Sequence, residues 1–148
     1  MIAQVMNRVS KIKRGGILGR EGGQSLAELA IIMPMLTLVL VGLLDMGRVI
    51  YTYTVMVNAA REAALVGSVS ERTNTQIQNV AIAEMDRGGV DGDQATISVS
   101  YYLNLDTEKW IIQVEVQYTE SVLGAVLPFS SVPLKAKAEM ETFWEPTS

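Results

Sequence analysis

The chain has 148 residues, a length that suits one domain of ordinary size. It contains no cysteine and no histidine, which excludes a disulfide scaffold, a thiol nucleophile, the commonest general base and the commonest transition-metal ligand. Apolar residues make up 49% of the chain and charged residues only 19%. The apolar excess lies in one run around residues 29–44, which indicates a membrane segment rather than a larger core.

The charges are distributed unevenly along the chain. Residues 1–23 carry five basic side chains and one acidic one, whereas the remainder carries seven basic and fifteen acidic. A basic head before an apolar span predicts that residues 1–23 lie in the cytoplasm and residues 45–148 on the far side of the membrane. No aromatic residues alternate with the basic ones, so we expect no nucleic-acid partner. The glycines of this leader, Gly22 and Gly23 included, predict a flexible segment without a continuous helix.

The apolar run from Leu26 to Leu44 has 19 residues and one charge, Glu28. A helix of that length measures about 29 Å, close to the thickness of the hydrocarbon core of a bilayer. The run is longer than the apolar part of a secretory signal, and no A-x-A site follows it closely. We therefore expect a retained anchor over residues 24–44, with Pro34 tolerated inside it as a kink.

Helical periodicity continues beyond the apolar run, to about Val66. Asp45 and Arg48 mark the predicted membrane interface, and their i,i+3 spacing predicts an ion pair. Tyr51 and Tyr53 lie where an aromatic belt is expected. Other positions of the helical wheel are polar. The predicted buried stripe of this second half consists of Val49, Tyr53, Met56, Ala60, Ala64 and Gly67, and the polar residues elsewhere on the wheel are Thr52, Asn58, Arg61 and Glu62.

The remainder predicts a short helix followed by strands. Thr73 and Gln76 form a capping box, and Gly88 with Gly89 ends the helix. Alternating polar and apolar residues predict strands over 95–103, 110–119 and 134–141, with a loop from Gly124 to Pro133. The sequence Asp91-Gly92-Asp93 fits a turn better than a calcium site. The fold class is therefore α+β: one long helix, membrane-spanning first and amphipathic later, packed on an antiparallel sheet with one short extra helix.

Glu28 is the most unusual residue of the span. A carboxylate costs about 2.5–3.5 kcal/mol at the centre of a membrane helix and less near its end. It could lie at headgroup level and reach water harmlessly. Alternatively it could bind a cation inside an assembly, because polar residues at such depth are candidates for function.

Gly23 followed by Gln24-Ser25-Leu26-Ala27-Glu28 resembles the class III signal peptide of pilins: a basic leader, a glycine at the cut, and glutamate as fifth mature residue. The longer segment GQSLAELAIIMPMLTLVLVGLLDMGRVIYTYTVMVNAAREAALVGS resembles the N-terminal part of TadE-like proteins, the minor pilins or pseudopilins of the tight-adherence (Tad/Flp) pilus. The resemblance covers about 45 of the 148 residues.

The resemblance implies roles for individual residues. A prepilin peptidase would cut after Gly23 and make Gln24 the new N-terminus. Glu28 would attract the N-terminal amine of a neighbouring subunit or help to dock the subunit. Independently of the resemblance, the spacing of Asp45 and Arg48 suits an interface salt bridge or a subunit contact.

The implied partners are the prepilin peptidase, the major Flp-type pilin and other minor pilins, an inner-membrane assembly platform and the lipid bilayer. The protein would pass once through the inner membrane and then reach the pilus or cell surface. Major Flp pilins commonly have an aromatic residue where this chain has Leu29, and they are shorter, which favours a minor pilin.

Two other interpretations stay open at this stage. The chain could be a pseudopilin of a type II secretion system. It could also be an uncleaved single-pass membrane protein whose outer domain binds a ligand. We expect no enzymatic activity, no cofactor and no metal, because the residues form no recognisable catalytic constellation.

Overall fold

The computed structural model describes residues 20–122 and 131–146, with side chains from Gly23 onward. Helix α1 spans Arg20–Val69, helix α2 spans Asn74–Arg87, and a short 3₁₀ turn covers Gly92–Gln94. Strands β1, β2 and β3 span Thr96–Asn104, Lys109–Ser121 and Ser131–Glu141. The predicted α+β fold class, with one long helix, one short helix and a three-stranded antiparallel sheet, is confirmed.

The chain forms two units, Met1–Leu40 and Val41–Ser148. In the first unit, residues 23–40 belong to α1 and are all exposed. The most apolar 18-residue stretch of α1 has a mean hydropathy of 2.3, and none of it is buried. Such a surface is unfavourable in water and suited to lipid. The length and composition of this helix therefore indicate membrane association.

The start of α1 corrects one expectation. The helix begins at Arg20 and includes Gly22 and Gly23, so the prediction that these glycines interrupt it is wrong. Glycine costs a helix roughly 1 kcal/mol relative to alanine, and the long apolar helix that follows tolerates this cost. The rest of the predicted flexible leader, residues 1–19, lies outside the described residues.

The second unit, Val41–Ser148, is called the sheet unit below. Its sheet has the order β1-β2-β3, and both neighbouring pairs are antiparallel. The central strand β2 is the most buried, since Ile112, Val114 and Val116 are fully covered. Val114 and Val116 lie opposite Ala138 and Ala136 of β3. The residues of β2 and β3 that point into the core are therefore the ones that the alternation of polar and apolar residues predicts.

The later part of α1 covers the inner face of the sheet. Four small residues on one side of the helix are fully buried, and Gly67 approaches so closely that a methyl group there would overlap Cδ1 of Ile112. Small side chains let a helix backbone approach its neighbour closely. The core also contains α2 through Ile77, Ala81 and Met85. The buried small residues of α1 are Ala59, Ala60, Ala63 and Ala64.

The buried stripe of α1 differs from the predicted one at its first turns. Four of the predicted positions are buried as expected: Met56, Ala60, Ala64 and Gly67. Val49, however, is only half-buried, Tyr53 is exposed and Thr52 is buried. The reason is a polar contact: the Thr52 hydroxyl donates to a carboxylate of β2 that is described below. A hydrogen-bonded polar group takes the place that the sequence pattern gave to an aromatic ring.

The capping box of α2 is confirmed. The backbone N–H of Gln76 donates to the Thr73 hydroxyl at 3.3 Å, and the Thr73 N–H donates to the Gln76 side chain at 3.1 Å. The helix ends at Arg87 with Gly88 as its cap. Asp91 caps the 3₁₀ turn by accepting a hydrogen bond from the N–H of Asp93, in agreement with the predicted turn.

Strand β3 starts earlier than predicted. It begins at Ser131, so Pro133 lies inside the strand rather than in the loop. Proline cannot donate a ladder hydrogen bond, but an edge strand tolerates it because one side of that strand needs no partner. Residues 124–130 of the predicted loop lie outside the described residues.

The outer face of the sheet carries ion pairs. Lys135 Nζ lies 2.8 Å from Glu115 Oε1, and Lys137 Nζ lies 2.6 Å from Glu139 Oε1. Hydrogen bonds from Lys135 and then from Gln117 lower the pKa of Glu115, and a hydrogen bond from Lys137 lowers the pKa of Glu139. These carboxylates therefore stay ionised at neutral pH, and the face stays charged. Such charges protect an edge strand like β3 against pairing with another chain.

Two methionines of α1 test the packing of the sheet unit. Met56 is fully buried and Met46 is 62% exposed. We expect Met56→Ala to lower the free energy of unfolding by about 2–5 kcal/mol, because truncating a buried side chain leaves a cavity. The matched variant Met46→Ala changes helix propensity equally and leaves no cavity, so it should stay within about 0.5 kcal/mol of the parent. Chemical unfolding of the detergent-extracted chain measures both, and equal losses would contradict this packing.

Candidate functional site

The first candidate site is the segment Gly23 to Glu28 at the start of α1. Every residue of it is helical and exposed. Nothing lies within 4 Å of the position that a side chain of Gly23 would take. The Gln24 side chain donates from Nε2 to Oε1 of Glu28 at 3.1 Å, across one helical turn. The sequence predicted Gly23, Gln24 and Glu28 as site residues, and the structure brings the last two into contact.

The bond between Gly23 and Gln24 lies inside the helix. A peptidase needs an extended substrate, so this turn must unwind before the bond can be cut. Two adjacent glycines lower the cost of unwinding, because glycine gains more backbone entropy than other residues when it leaves a helix. The helix therefore does not prevent processing at this bond.

The second candidate site is a cleft of about 600 Å³ in the sheet unit. One wall comes from α1, with Leu43, Leu44 and Arg48, and the other comes from the end of β2 and the segment after α2. Tyr118 also lines it, and burial first, then the charges of Glu120 and Asp91, raise the pKa of its hydroxyl. The cleft thus combines apolar residues from the end of the predicted span with charged residues one turn later.

A buried carboxylate, Glu120, is among the residues that line this cleft. Glu120 is only 6% exposed. Its Oε1 accepts a hydrogen bond from the Arg48 guanidinium at 3.1 Å, and its Oε2 accepts one from the Thr52 hydroxyl at 2.9 Å. Arg48 and Thr52 are one helical turn apart, so α1 holds both carboxylate oxygens from one face. This contact joins the end of β2 to α1.

Arg48 was predicted to pair with Asp45, and its observed partner is Glu120, 72 residues further along the chain. The pairing of Arg48 with Asp45 stays a prediction. Glu120 was not singled out in the sequence, although a signal existed. Glu120 follows Val116 and Tyr118 at every second position of β2, on the face of the strand that points into the core. A carboxylate on that face needs a cation or hydrogen-bond donors nearby.

The predicted aromatic belt consists of Tyr51 and Tyr53, and both are exposed. Tyr51 also makes a specific contact: its hydroxyl donates to the carbonyl of Gly88 at 3.0 Å. A side chain at Gly88 would lie 2.6 Å from Cγ1 of Val55, so this glycine allows the end of α2 to touch α1. Tyr51 therefore helps to hold the end of α2 beside α1.

The Glu120 contact leads to a stability prediction. Glu120→Gln keeps the side-chain volume but presents an amide to Arg48, so we expect a loss of about 1–3 kcal/mol in unfolding free energy. The control Glu141→Gln removes an exposed pair with Lys109 and should cost less than about 1 kcal/mol. A double-mutant cycle with Arg48→Met measures the coupling directly. If both variants lost equally little unfolding free energy, and Glu120 showed no coupling energy with Arg48, a stabilising buried contact would be contradicted.

Residues 23–65 match the model of the family described as TadE-like protein. No curated protein and no solved structure matches the chain. The match starts at Gly23, contains Gln24, Glu28 and Arg48, and ends within the buried stripe of α1. The resemblance noted in the sequence is thereby confirmed over residues 23–65, which are similar to the TadE-like family.

Proposed function

We propose that this protein is a minor pilin, or pseudopilin, of a Tad/Flp pilus. It is made as a membrane precursor and cut between Gly23 and Gln24 by a prepilin peptidase. Residues 24–44 anchor it in the inner membrane, and residues 45–148 form the domain outside the cytoplasm. It then joins the major Flp-type pilin and other minor pilins at the assembly platform. The observation that carries the proposal is the TadE-like match, which starts at the glycine before the proposed cut.

The chemistry around the proposed cut supports processing on the cytoplasmic side. The leader is basic, and basic segments stay in the cytoplasm. Gly23 is exposed and offers no side chain to exclude a peptidase. The apolar residues that follow keep the rest of α1 in the membrane, so the scissile bond lies beside the cytoplasmic surface in this arrangement.

Glu28 supports a role in assembly. It is the single charged residue of the run from Leu26 to Leu44, and its contact in the isolated chain is a neutral amide. A carboxylate gains more from a cationic donor than from a neutral one, and this difference grows in a medium of low dielectric constant. The N-terminal ammonium of a neighbouring subunit is a cation that every cut subunit supplies.

The sheet unit supports a structural role for the remainder. Its core is apolar, its buried carboxylate Glu120 is bound on both oxygens, and its outer sheet face carries paired charges. In this proposal the protein is the substrate of a peptidase and a part of an assembly, rather than a catalyst.

The variant Gly23→Asp tests the proposal, because a charged side chain at the cut should prevent processing. We expect the intact mass of the membrane-extracted variant to include the whole leader, whereas the parent begins at Gln24. The control Gly16→Asp adds the same charge further back in the leader and should be cut normally. We also expect the uncut variant to be absent from sheared pilus fractions that contain the parent. A parent chain that keeps Met1 in cells with an active prepilin peptidase would overturn the proposal.

A further inference from the structure

Gln24 acquires a specific reactivity if it becomes the N-terminal residue. Its free α-amine can attack its own side-chain carbonyl carbon Cδ. A bond forms between the α-nitrogen and Cδ, the bond between Cδ and Nε2 breaks, and Nε2 leaves as ammonia with the proton that the amine gives up. The product is a five-membered lactam. This N-terminus has lost its basic nitrogen and cannot carry a positive charge.

The position of the Gln24 side chain opposes this reaction. Nε2 of Gln24 lies 3.1 Å from Oε1 of Glu28, and Glu28 lies one turn further along the helix, at a rise of about 6 Å. While Nε2 is bound to Glu28, the amide is held by that contact. Ring closure requires the amide to move freely, so that Cδ can fold onto the α-nitrogen of the same residue. The hydrogen bond must therefore break before the ring can form.

Glu28 is well suited to hold this amide. It is charged, and a hydrogen bond to a charged acceptor is stronger than one between neutral groups. It is also the single ionisable side chain between Gln24 and Leu44, so no other side chain of this segment competes as a charged acceptor. In the low dielectric of the membrane the bond is stronger than in water.

We propose that Glu28 protects the N-terminal amine of the mature chain by holding the Gln24 amide away from it. This inference rests on the proposed cut after Gly23. It gives Glu28 a role within its own subunit, in addition to any contact with a neighbour. The residue that would bind a neighbour's ammonium also preserves the ammonium of its own chain for the next subunit.

The test measures ammonia loss from the mature chain. The parent, Glu28→Ala, Glu28→Gln and the control Glu62→Ala are extracted from membranes in mild detergent. They are then incubated at a pH near the pKa of an α-amine, about 8. Glu62 is an exposed carboxylate of the same helix outside the apolar run. Intact mass reports loss of one ammonia with time, and stepwise N-terminal sequencing reports whether the amine is free. Gln24→Ala, which cannot form the ring, identifies Gln24 as the source.

We expect the parent and Glu62→Ala to keep a free N-terminal glutamine. Glu28→Ala should lose ammonia roughly tenfold faster, a factor that corresponds to about 1.4 kcal/mol. Glu28→Gln keeps a neutral acceptor and should fall between them. Equal rates for the parent and Glu28→Ala would overturn the inference alone, as would a parent isolated already as the lactam. A parent that keeps its leader would overturn both the inference and the proposed cut, so the two failures are distinguishable.

Discussion

The close packing of α1 against the sheet is the contact on which the rest of the sheet unit depends. Alanines fill the buried side of the helix and share one core cluster with the valines of β2, and Gly67 lies close to Ile112. A larger residue at these positions would push the helix away from β2. Where β2 ends, the same side of α1 changes from alanine to Thr52 and Arg48, and these two residues bind Glu120. The strand can therefore place a carboxylate in an inward position because the helix supplies both donors there.

The two parts of α1 follow different sequence rules because they are suited to different surroundings. Residues 23–40 are apolar on nearly all sides and exposed, which is the composition of a helix in lipid. From Thr52 onward, small residues are buried on one side of the helix. The other side carries exposed polar residues such as Asn58 and Arg61. The TadE-like match includes both parts. In the proposed function the first part serves as anchor and contact, and the second part holds the domain.

Much of this fold could be predicted from local patterns. The alternation of polar and apolar residues predicted all three strands, and the capping box predicted the start of α2. Each of these signals is local, because the residues that carry it lie within a few positions of one another in the sequence. The start of α1 at Arg20 was missed, because its apolar continuation outweighs the helix-breaking tendency of Gly22 and Gly23. Pro133 was assigned to a loop because its tolerance depends on β3 being an edge strand. The contact of Glu120 with Arg48 and Thr52 was missed because Glu120 lies about 70 residues after them in the sequence. These residues meet only when β2 packs on α1.

The candidate processing segment could be found from the sequence alone, because its signals are a charge asymmetry, a glycine and one carboxylate in an apolar run. In the proposed topology this run crosses the membrane once, with the leader inside and the sheet unit outside. The chain has no cysteine, so a single introduced cysteine reports its own location. In spheroplasts, a membrane-impermeant maleimide should label Ser98→Cys, on the exposed outer face of β1. In the Gly23→Asp background, which should keep its leader, it should label Ser10→Cys only after lysis. Labelling of Ser10→Cys in intact spheroplasts, with Ser98→Cys protected until lysis, would contradict the account.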